Sequence, residues 1–361
     1  MKITILAAIW AKNLWDELIL KNEIQYLKTV YGNDTEFFVA SYDIKNPFIV
    51  SKNITYFEYF PCDAKKIKNI FRNIKNFFQF IKIIKNTDLV VIWWGGIIFD
   101  NEQKHVKNPF SQWIMRVKIA KFYKKKILFH AVWLTLSHSW NLKYLKKIFS
   151  SKNQEVSVRD NYSKKLLDSI NIQSNIIPDP VFSDKKNNKE IFSQNYFIKK
   201  LHPKQFHTED LDSYDLQNKT IWISFRKWYF HQDAQTISEI IEYLQEKNVK
   251  IILIPTSFHP TDFSSNDYIF LKYFSEKYKI DICKNMWESY KIFKSNSLDY
   301  CFAMRLHSMI LSQVYSIPFF AFSYSTKTDE LIKILTEKTK KWNFFLTNKN
   351  YLKLANKLKD Q

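Results

Sequence analysis

The sequence predicts an α/β protein built from two doubly wound, Rossmann-like domains that face a cleft. Two observations carry this expectation. Short apolar runs alternate with longer segments of helical period through most of the 361 residues, and that alternation is the pattern of strands and crossover helices in a parallel sheet. The alternation also occurs twice, on either side of a polar, charge-dense stretch, Asp184–Lys219, that has no clear period.

In the first half, strands are expected at Ile3–Ile9, Glu36–Ser41, Leu89–Trp93, Ile127–Val132 and Glu155–Val158. Helices separate them at Glu17–Tyr31, Lys65–Lys85 and Ser163–Ile170. The second half repeats the order, with strands at Thr220–Ser224, Lys250–Pro255, Ile280–Cys283, Leu298–Phe302 and Pro318–Phe322. Its helices are expected at Ala234–Glu246, Trp287–Phe293, Leu306–Ser316 and Asp329–Leu335. Residues 1–183 then make an N-terminal domain and 220–340 a C-terminal one, with 184–219 as linker and insertion and 341–361 as a helical tail. In open sheets of this kind ligands sit beyond the carboxyl ends of the strands, so residues just after strands matter most.

Composition narrows the function classes. Apolar residues make up 46% of the chain, enough for sizeable cores, and this excludes a disordered or collagen-like protein. Lys and Arg number 55 against 35 Asp and Glu, a formal charge of +20, which invites a nucleic acid, an anionic membrane surface or a phosphorylated substrate. Drift toward AT-rich coding accounts for the charge equally well. The three cysteines, Cys62, Cys283 and Cys301, form neither a disulfide framework nor a CxxC site. The opening MKITILAAIWAKN reads better as a buried strand than as a signal peptide, because it runs straight into Asn13, Asp16 and Glu17. No run approaches the ~18 apolar residues of a membrane span, and a cytoplasmic location is expected. Glycine is the anomaly: an average composition of ~7% would give roughly 25, and the chain has 3 beside 11 Trp.

The strongest chemical signal is Cys301-Phe302-Ala303-Met304-Arg305-Leu306-His307-Ser308, a strand ending in Arg305 with His307 at a helix start. Arginine together with the N–H groups of a helix N-terminus makes an anion site, and an adjacent imidazole can move a proton. Ile223-Ser224-Phe225-Arg226 repeats the placement. Arginine occurs only at 72, 116, 159, 226 and 305 in this lysine-rich chain, a hint that planar bidentate contact is needed at some of them. Asp160 or Ser163 suits a helix cap and a structural role is the better reading for Arg159 and Asp160, whereas Asp179, fixed between Pro178 and Pro180, is more open to a ligand role. Asp210-Leu211-Asp212 has the DxD spacing of a metal site but follows no strand, so a solvated loop is the better reading. The histidines lack metal-ligand spacing, and there is no P-loop or GxGxxG. Lys65–Lys85 is a basic helix with a Phe and Ile face, packed on a core or lying on a membrane surface.

Taken together, VSVRDxxS, PDPVF, ISFR, R-L-H ahead of a small and apolar helix, and IPFFAFSYSTK resemble the polysaccharide pyruvyl transferase family over roughly residues 1–335. The resemblance implies two domains of the glycosyltransferase-B type and transfer of enolpyruvate from phosphoenolpyruvate (PEP) to a sugar, giving a pyruvate ketal in cell-surface polysaccharide synthesis. It places the donor's phosphate and carboxylate at Arg226, Arg305, Leu306 and His307, in the C-terminal domain. It points to Asn13, Asp16, Gly95, Gly96 and Asp179 as further substrate-binding positions, with the acceptor on the N-terminal side. No metal or cofactor is implied, and the acceptor could be lipid-linked or nucleotide-linked, with peripheral contact at the inner face of an anionic membrane.

The chain departs from the family pattern at its glycines. Trp10, Trp15 and Trp93-Trp94-Gly95-Gly96 stand where glycine turns are usual, and Val132-Trp133 stands where a Val-Gly pair is usual. Tryptophan cannot supply positive φ or close backbone approach at low cost. One reading accounts for both anomalies: UGA codons that mean glycine, translated as tryptophan. Two other functions remain open at this level. One is a glycosyltransferase using a nucleotide sugar on the same architecture, and the other is an inactive basic relative that binds a polyanion or membrane. Catalysis needs Arg226, Arg305 and His307 gathered in one place, whereas polyanion binding needs an exposed lysine stripe.

Overall fold

The structure, a computed structural model, describes residues 1–7, 9, 12–61, 68–93, 98–99, 110–136, 138–177, 179–183, 196–202, 205–227, 230–259, 265–295, 297–323 and 326–336. It divides into two compact units, one holding residues 1–10 and 19–180, the other residues 11–18 and 181–346.

The first unit is built on the strands β1 (Lys2–Leu6), β2 (Glu36–Ser41), β3 (Ile54–Glu58), β4 (Leu89–Trp93), β6 (Lys126–Val132), β8 (Gln154–Val158) and β9 (Asn175–Ile176). They form one sheet in the order β3-β2-β1-β4-β6-β8-β9, and every pairing is parallel. Two short strands, β5 (Ile98–Phe99) and β7 (Leu134–Thr135), pair separately. The helices are α1 (Leu14–Tyr31), α2 (Lys68–Lys85), α3 (Phe110–Phe122), α4 (Leu142–Ile148) and α5 (Asn161–Asp168). Central strands of a parallel sheet are covered on both faces, and β4, LVVIW, is accordingly buried at every residue. Leu6, Phe57, Phe80, Val90, Trp113 and Phe129 meet in its core.

The second unit has β10 (Phe197–Leu201), β11 (Thr220–Ser224), β12 (Lys250–Leu253), β13 (Asp281–Ile282), β14 (Tyr300–Ala303) and β15 (Phe319–Phe322). Their order is β10-β15-β14-β11-β12-β13, again parallel throughout. The helices are α6 (Phe230–Glu246), α7 (Asp267–Tyr278), α8 (Met286–Lys294), α9 (Leu306–Val314) and α10 (Thr326–Thr336). Asn266 and Asn285 cap α7 and α8 by accepting from Ile269 N and Glu288 N at 3.0 Å. Two doubly wound, Rossmann-like domains are thus present, as the alternation of elements predicts. β10 lies inside the stretch read as linker and insertion: its sequence, FIKKL, is an edge strand against β15, where lysines facing solvent are compatible with pairing on one side only.

The strand orders fix where ligands can approach. Each sheet reverses its winding once, between β1 and β4 in the first unit and between β11 and β14 in the second. Loops leave in opposite directions at such a switch point and open a crevice beyond the carboxyl ends of the two strands.

Glycine scarcity is met in an unexpected way. Gly32 ends α1 at φ +98, with its N–H donating to Lys28 O at 2.9 Å. Among the described residues eight non-glycine residues take positive φ, including Lys12 (48), Ala131 (50), Asn171 (59), Asn218 (57) and Asn248 (55). Trp15, Trp93 and Trp133 do not take positive φ, and Trp15 and Trp93 are only 2% and 0% exposed. Lys12 and Ala131, close by in the sequence, take the left-handed conformation instead, and the Trp15 and Trp93 indoles are packed into the interior. Trp10 and Trp94 lie outside the described residues.

Candidate anion site in the second unit

β11 and β14 are neighbours in register, with Ser224 opposite Ala303. Arg226 and Arg305 each stand two residues beyond that pair, so both leave the carboxyl ends of adjacent strands at the switch point. This is the placement the sequence predicts for them. Below them Ser224 Oγ and Ser308 Oγ lie 2.7 Å apart, both fully buried, tying the end of β11 to the first turn of α9.

Arg305 is the N-cap residue of α9 and makes no side-chain capping bond there. Its guanidinium turns instead to Asp267, the first residue of α7. Nε lies 3.2 and 3.1 Å from the two carboxylate oxygens, and Nη2 also donates to Oδ1. Asp267 is almost fully buried and accepts in addition from Thr256 N (3.3 Å), Thr256 Oγ1 (3.0 Å) and Ser257 N (3.1 Å). A buried carboxylate with this many donors is fixed in direction. It holds the arginine charge at the end of α9, where the first N–H groups of a helix favour an anion. The fork that the sequence reading gives to an anion therefore has a carboxylate on one edge. No motif marked Asp267; the one signal was Asn266-Asp267 standing as a cap and first acidic turn before an amphipathic run.

The same loop joins the turn before α1. Asn13 bridges Ser257 in antiparallel fashion, Leu14 N donates to Thr256 O at 3.0 Å, and Phe258 N donates to Lys12 O at 3.0 Å. Asn13 Oδ1 accepts from Trp15 N at 3.2 Å. The Trp15 ring stacks on the His307 imidazole, with centroids 4.7 Å apart and planes 25° from parallel. Asn13, Asp16, Arg305, Leu306 and His307 are thus linked through a few short contacts, although nearly the whole sequence separates them. Leu306 is half-buried as the first residue of α9. Asp16 is buried, and burial, with the charge of Glu17 added, raises its carboxyl well above the ordinary aspartate range against the lowering effect of its Asn13 hydrogen bond. Trp15, which the sequence reading treated only as a misplaced residue, is a neighbour of His307 that it missed.

Other sequence candidates have different partners. Asp179, in the first unit, is paired with Arg159 at 2.9 Å, and Arg159 also lies 4.9 Å over the Trp133 ring. Asp160 caps α5, accepting from Ser163 N at 2.7 Å and Ser163 Oγ at 2.8 Å. Both carboxylates of the DxD stretch are engaged locally: Asp210 pairs with Lys199 and Asp212 accepts from Tyr243 Oη at 2.8 Å. His130 is fully buried in the first unit, 2.6 Å from Glu23. Gly95 and Gly96 follow β4 in the sequence and lie outside the described residues, as does Cys62. Among the described residues no group of three or more His, Cys, Asp and Glu is placed to hold a metal ion, and no helix is long and apolar enough to cross a membrane.

Solved structures with a similar course of chain are distant. A UDP-GlcNAc 2-epimerase from Methanocaldococcus jannaschii is 12% identical with a TM-score of 0.49, covering 94% of each chain. A glycosyltransferase from Rickettsia africae is 15% identical with a TM-score of 0.46, covering 89% of this chain and 78% of its own. An alpha-glucosyltransferase solved with UDP is 9% identical with a TM-score of 0.45, covering 93% and 90%. No curated protein matches the sequence. The family model described as polysaccharide pyruvyl transferase matches residues 16–326, a span that begins at Asp16, takes in the second sheet and every strand of the first except β1, and includes Arg226, Asp267, Arg305 and His307; with that match the chain belongs to the polysaccharide pyruvyl transferase family.

Proposed function

We propose that the protein transfers enolpyruvate from PEP to two hydroxyls of one sugar, forming a cyclic ketal and releasing phosphate. The observation that supports this most is the register of β11 and β14, from which Arg226 and Arg305 each follow two residues beyond one paired position at a switch point, Arg305 at the N-terminus of α9. PEP carries a phosphate and a carboxylate, and two arginines plus helix N–H groups suit two adjacent anionic groups.

The chemistry asks for a proton and for electrostatic support. Protonation of the PEP methylene carbon makes a methyl group and leaves the neighbouring carbon electrophilic. One sugar hydroxyl adds there, and the carbon–oxygen bond to phosphate breaks. A second hydroxyl then closes the ring, so the two hydroxyl protons balance the new methyl hydrogen and the proton on phosphate. Arg226 and Arg305 hold the donor and offset the charge that gathers on the leaving phosphate. His307, stacked on Trp15, either delivers the proton or contacts the phosphate. Asp16, with its raised carboxyl, holds or exchanges a proton with an acceptor hydroxyl.

Titration calorimetry with PEP and with UDP separates this reading from a nucleotide-sugar enzyme. The proposal expects saturable PEP binding that inorganic phosphate competes with and that Arg226→Ala weakens. UDP binding without PEP binding would overturn it.

A further inference from the structure

Three helices on one side of the first unit carry many cations and no acidic residue. From 64 to 87, and again from 103 to 154, the sequence contains no Asp or Glu, and these stretches hold α2, α3 and α4. Lys75, Lys82, Lys85, Lys118, Lys143, Lys146 and Lys147 are all exposed. The helices form one continuous face: Lys125 Nζ donates to Lys85 O at 2.9 Å, and Lys121 Nζ donates to Lys147 O at 3.4 Å and to Ser150 Oγ at 3.1 Å.

Large apolar side chains lie among these charges. Phe71 and Phe122 are 79% exposed and Phe78 65%, with Ile70 and Ile74 about half exposed. Phe71, Ile74, Phe78 and Ile81 follow i, i+3, i+7, i+10 spacing and so share one side of α2, while Phe80 and Ile84 occupy its buried side. The outward stripe runs into an apolar groove of about 600 Å³ between α2, α3 and α4, lined by Ile81, Ile114, Ile119, Phe122 and Tyr144 with Lys118 at its edge. At one turn per 3.6 residues, Lys75, Lys82 and Lys85 flank the stripe. Burial first, and the charge of Lys118 second, holds the Lys121 ammonium below the ordinary lysine range.

We propose that this face docks on the surface of an anionic phospholipid bilayer, with Phe71, Phe78 and Phe122 entering the headgroup boundary and the lysines meeting lipid phosphates. The alternation of lysine with exposed Phe and Ile favours this occupant over two others. Lysine is depleted at the cores of protein–protein interfaces, and nucleic acid, held by phosphate contacts and stacking on aromatic rings, gains nothing from the isoleucines Ile70, Ile74, Ile81, Ile114 and Ile119 that lie among the phenylalanines. A helix with a basic, aromatic face of this kind lies in the bilayer interface, buried by ~5–10 Å. The surface belongs to the first unit and does not rest on the donor reading above.

The test is sedimentation of the full-length protein with phosphatidylcholine vesicles, with and without phosphatidylglycerol. Binding to the anionic vesicles should weaken as salt rises, and each of Lys75→Glu, Lys82→Glu and Lys118→Glu should lower partitioning by at least ~5-fold. Phe71→Ser with Phe78→Ser, at two exposed positions that leave the core untouched, should lower it further at low salt. Double-stranded DNA is carried as a competitor. The proposal is overturned if anionic vesicles do not bind at low salt, if the variants bind as the parent does, or if the lysine variants lose DNA binding while vesicle binding is unchanged.

Discussion

Arg305 presents Nε to both carboxylate oxygens of Asp267, at 3.2 and 3.1 Å, across 38 positions of sequence. The pairing holds a planar cation at the end of α9, two residues past β14. Lysine at this position keeps the charge and can still meet Asp267, so the fold should survive, but the fixed fork is lost. Arg305→Lys should therefore raise the apparent KM for PEP by the equivalent of ~1–3 kcal/mol with little change in Tm. Steady-state kinetics beside a thermal melt checks this, and an unchanged KM in a folded variant removes Arg305 from the donor site.

His307 can act in two ways that saturating PEP distinguishes. If it delivers the proton to the methylene carbon, His307→Ala should lower kcat by ~10²–10⁴-fold even at saturation. If it only contacts phosphate, the loss should appear in KM and be recovered with more PEP. Activity equal to the parent in both regimes would show that the R-L-H match carries no chemistry here.

Asp16 gives a pH signature. Its folded carboxyl holds a proton at pH values where the unfolded chain has already released it. The native state then binds more protons, and stability falls as pH rises from the ordinary aspartate value through the raised one. The slope for one proton is at most ~1.4 kcal/mol per pH unit. Asp16→Asn should flatten the fall of a urea midpoint series on the alkaline side of the ordinary aspartate value, and equal slopes in the two proteins would count against the raised carboxyl.

Much of the site was legible because strand ends are legible. The apolar run Thr220–Ser224 coincides with β11 and the run Leu298–Phe302 overlaps β14 over Tyr300–Phe302, and from there Arg226 and Arg305 follow. Asp267 was not legible, because a carboxylate that serves an arginine 38 positions away leaves no local pattern. β10 was hidden by its lysines, as an edge strand needs an apolar face on one side only. The Trp15–His307 stack was not legible either: a position that resembles a glycine turn drew attention to backbone freedom, and no local pattern pairs it with His307.

The tryptophans give a prediction of their own. If Trp10, Trp15, Trp93, Trp94 and Trp133 are UGA-encoded glycines, peptide mass spectrometry of the protein from its native host should find glycine at each. The Trp15–His307 stack would then be absent from the native molecule. UGG codons, with tryptophan in the peptides, would establish the stack as part of the site.

The central claim is ketal transfer from PEP, and the mass of the product tests it most directly. A sugar acceptor incubated with enzyme and PEP should gain the mass of pyruvic acid less one water, in an acid-labile linkage, with one phosphate released for each acceptor modified. An acceptor that instead gains a sugar from a nucleotide donor, with PEP left intact, would contradict it.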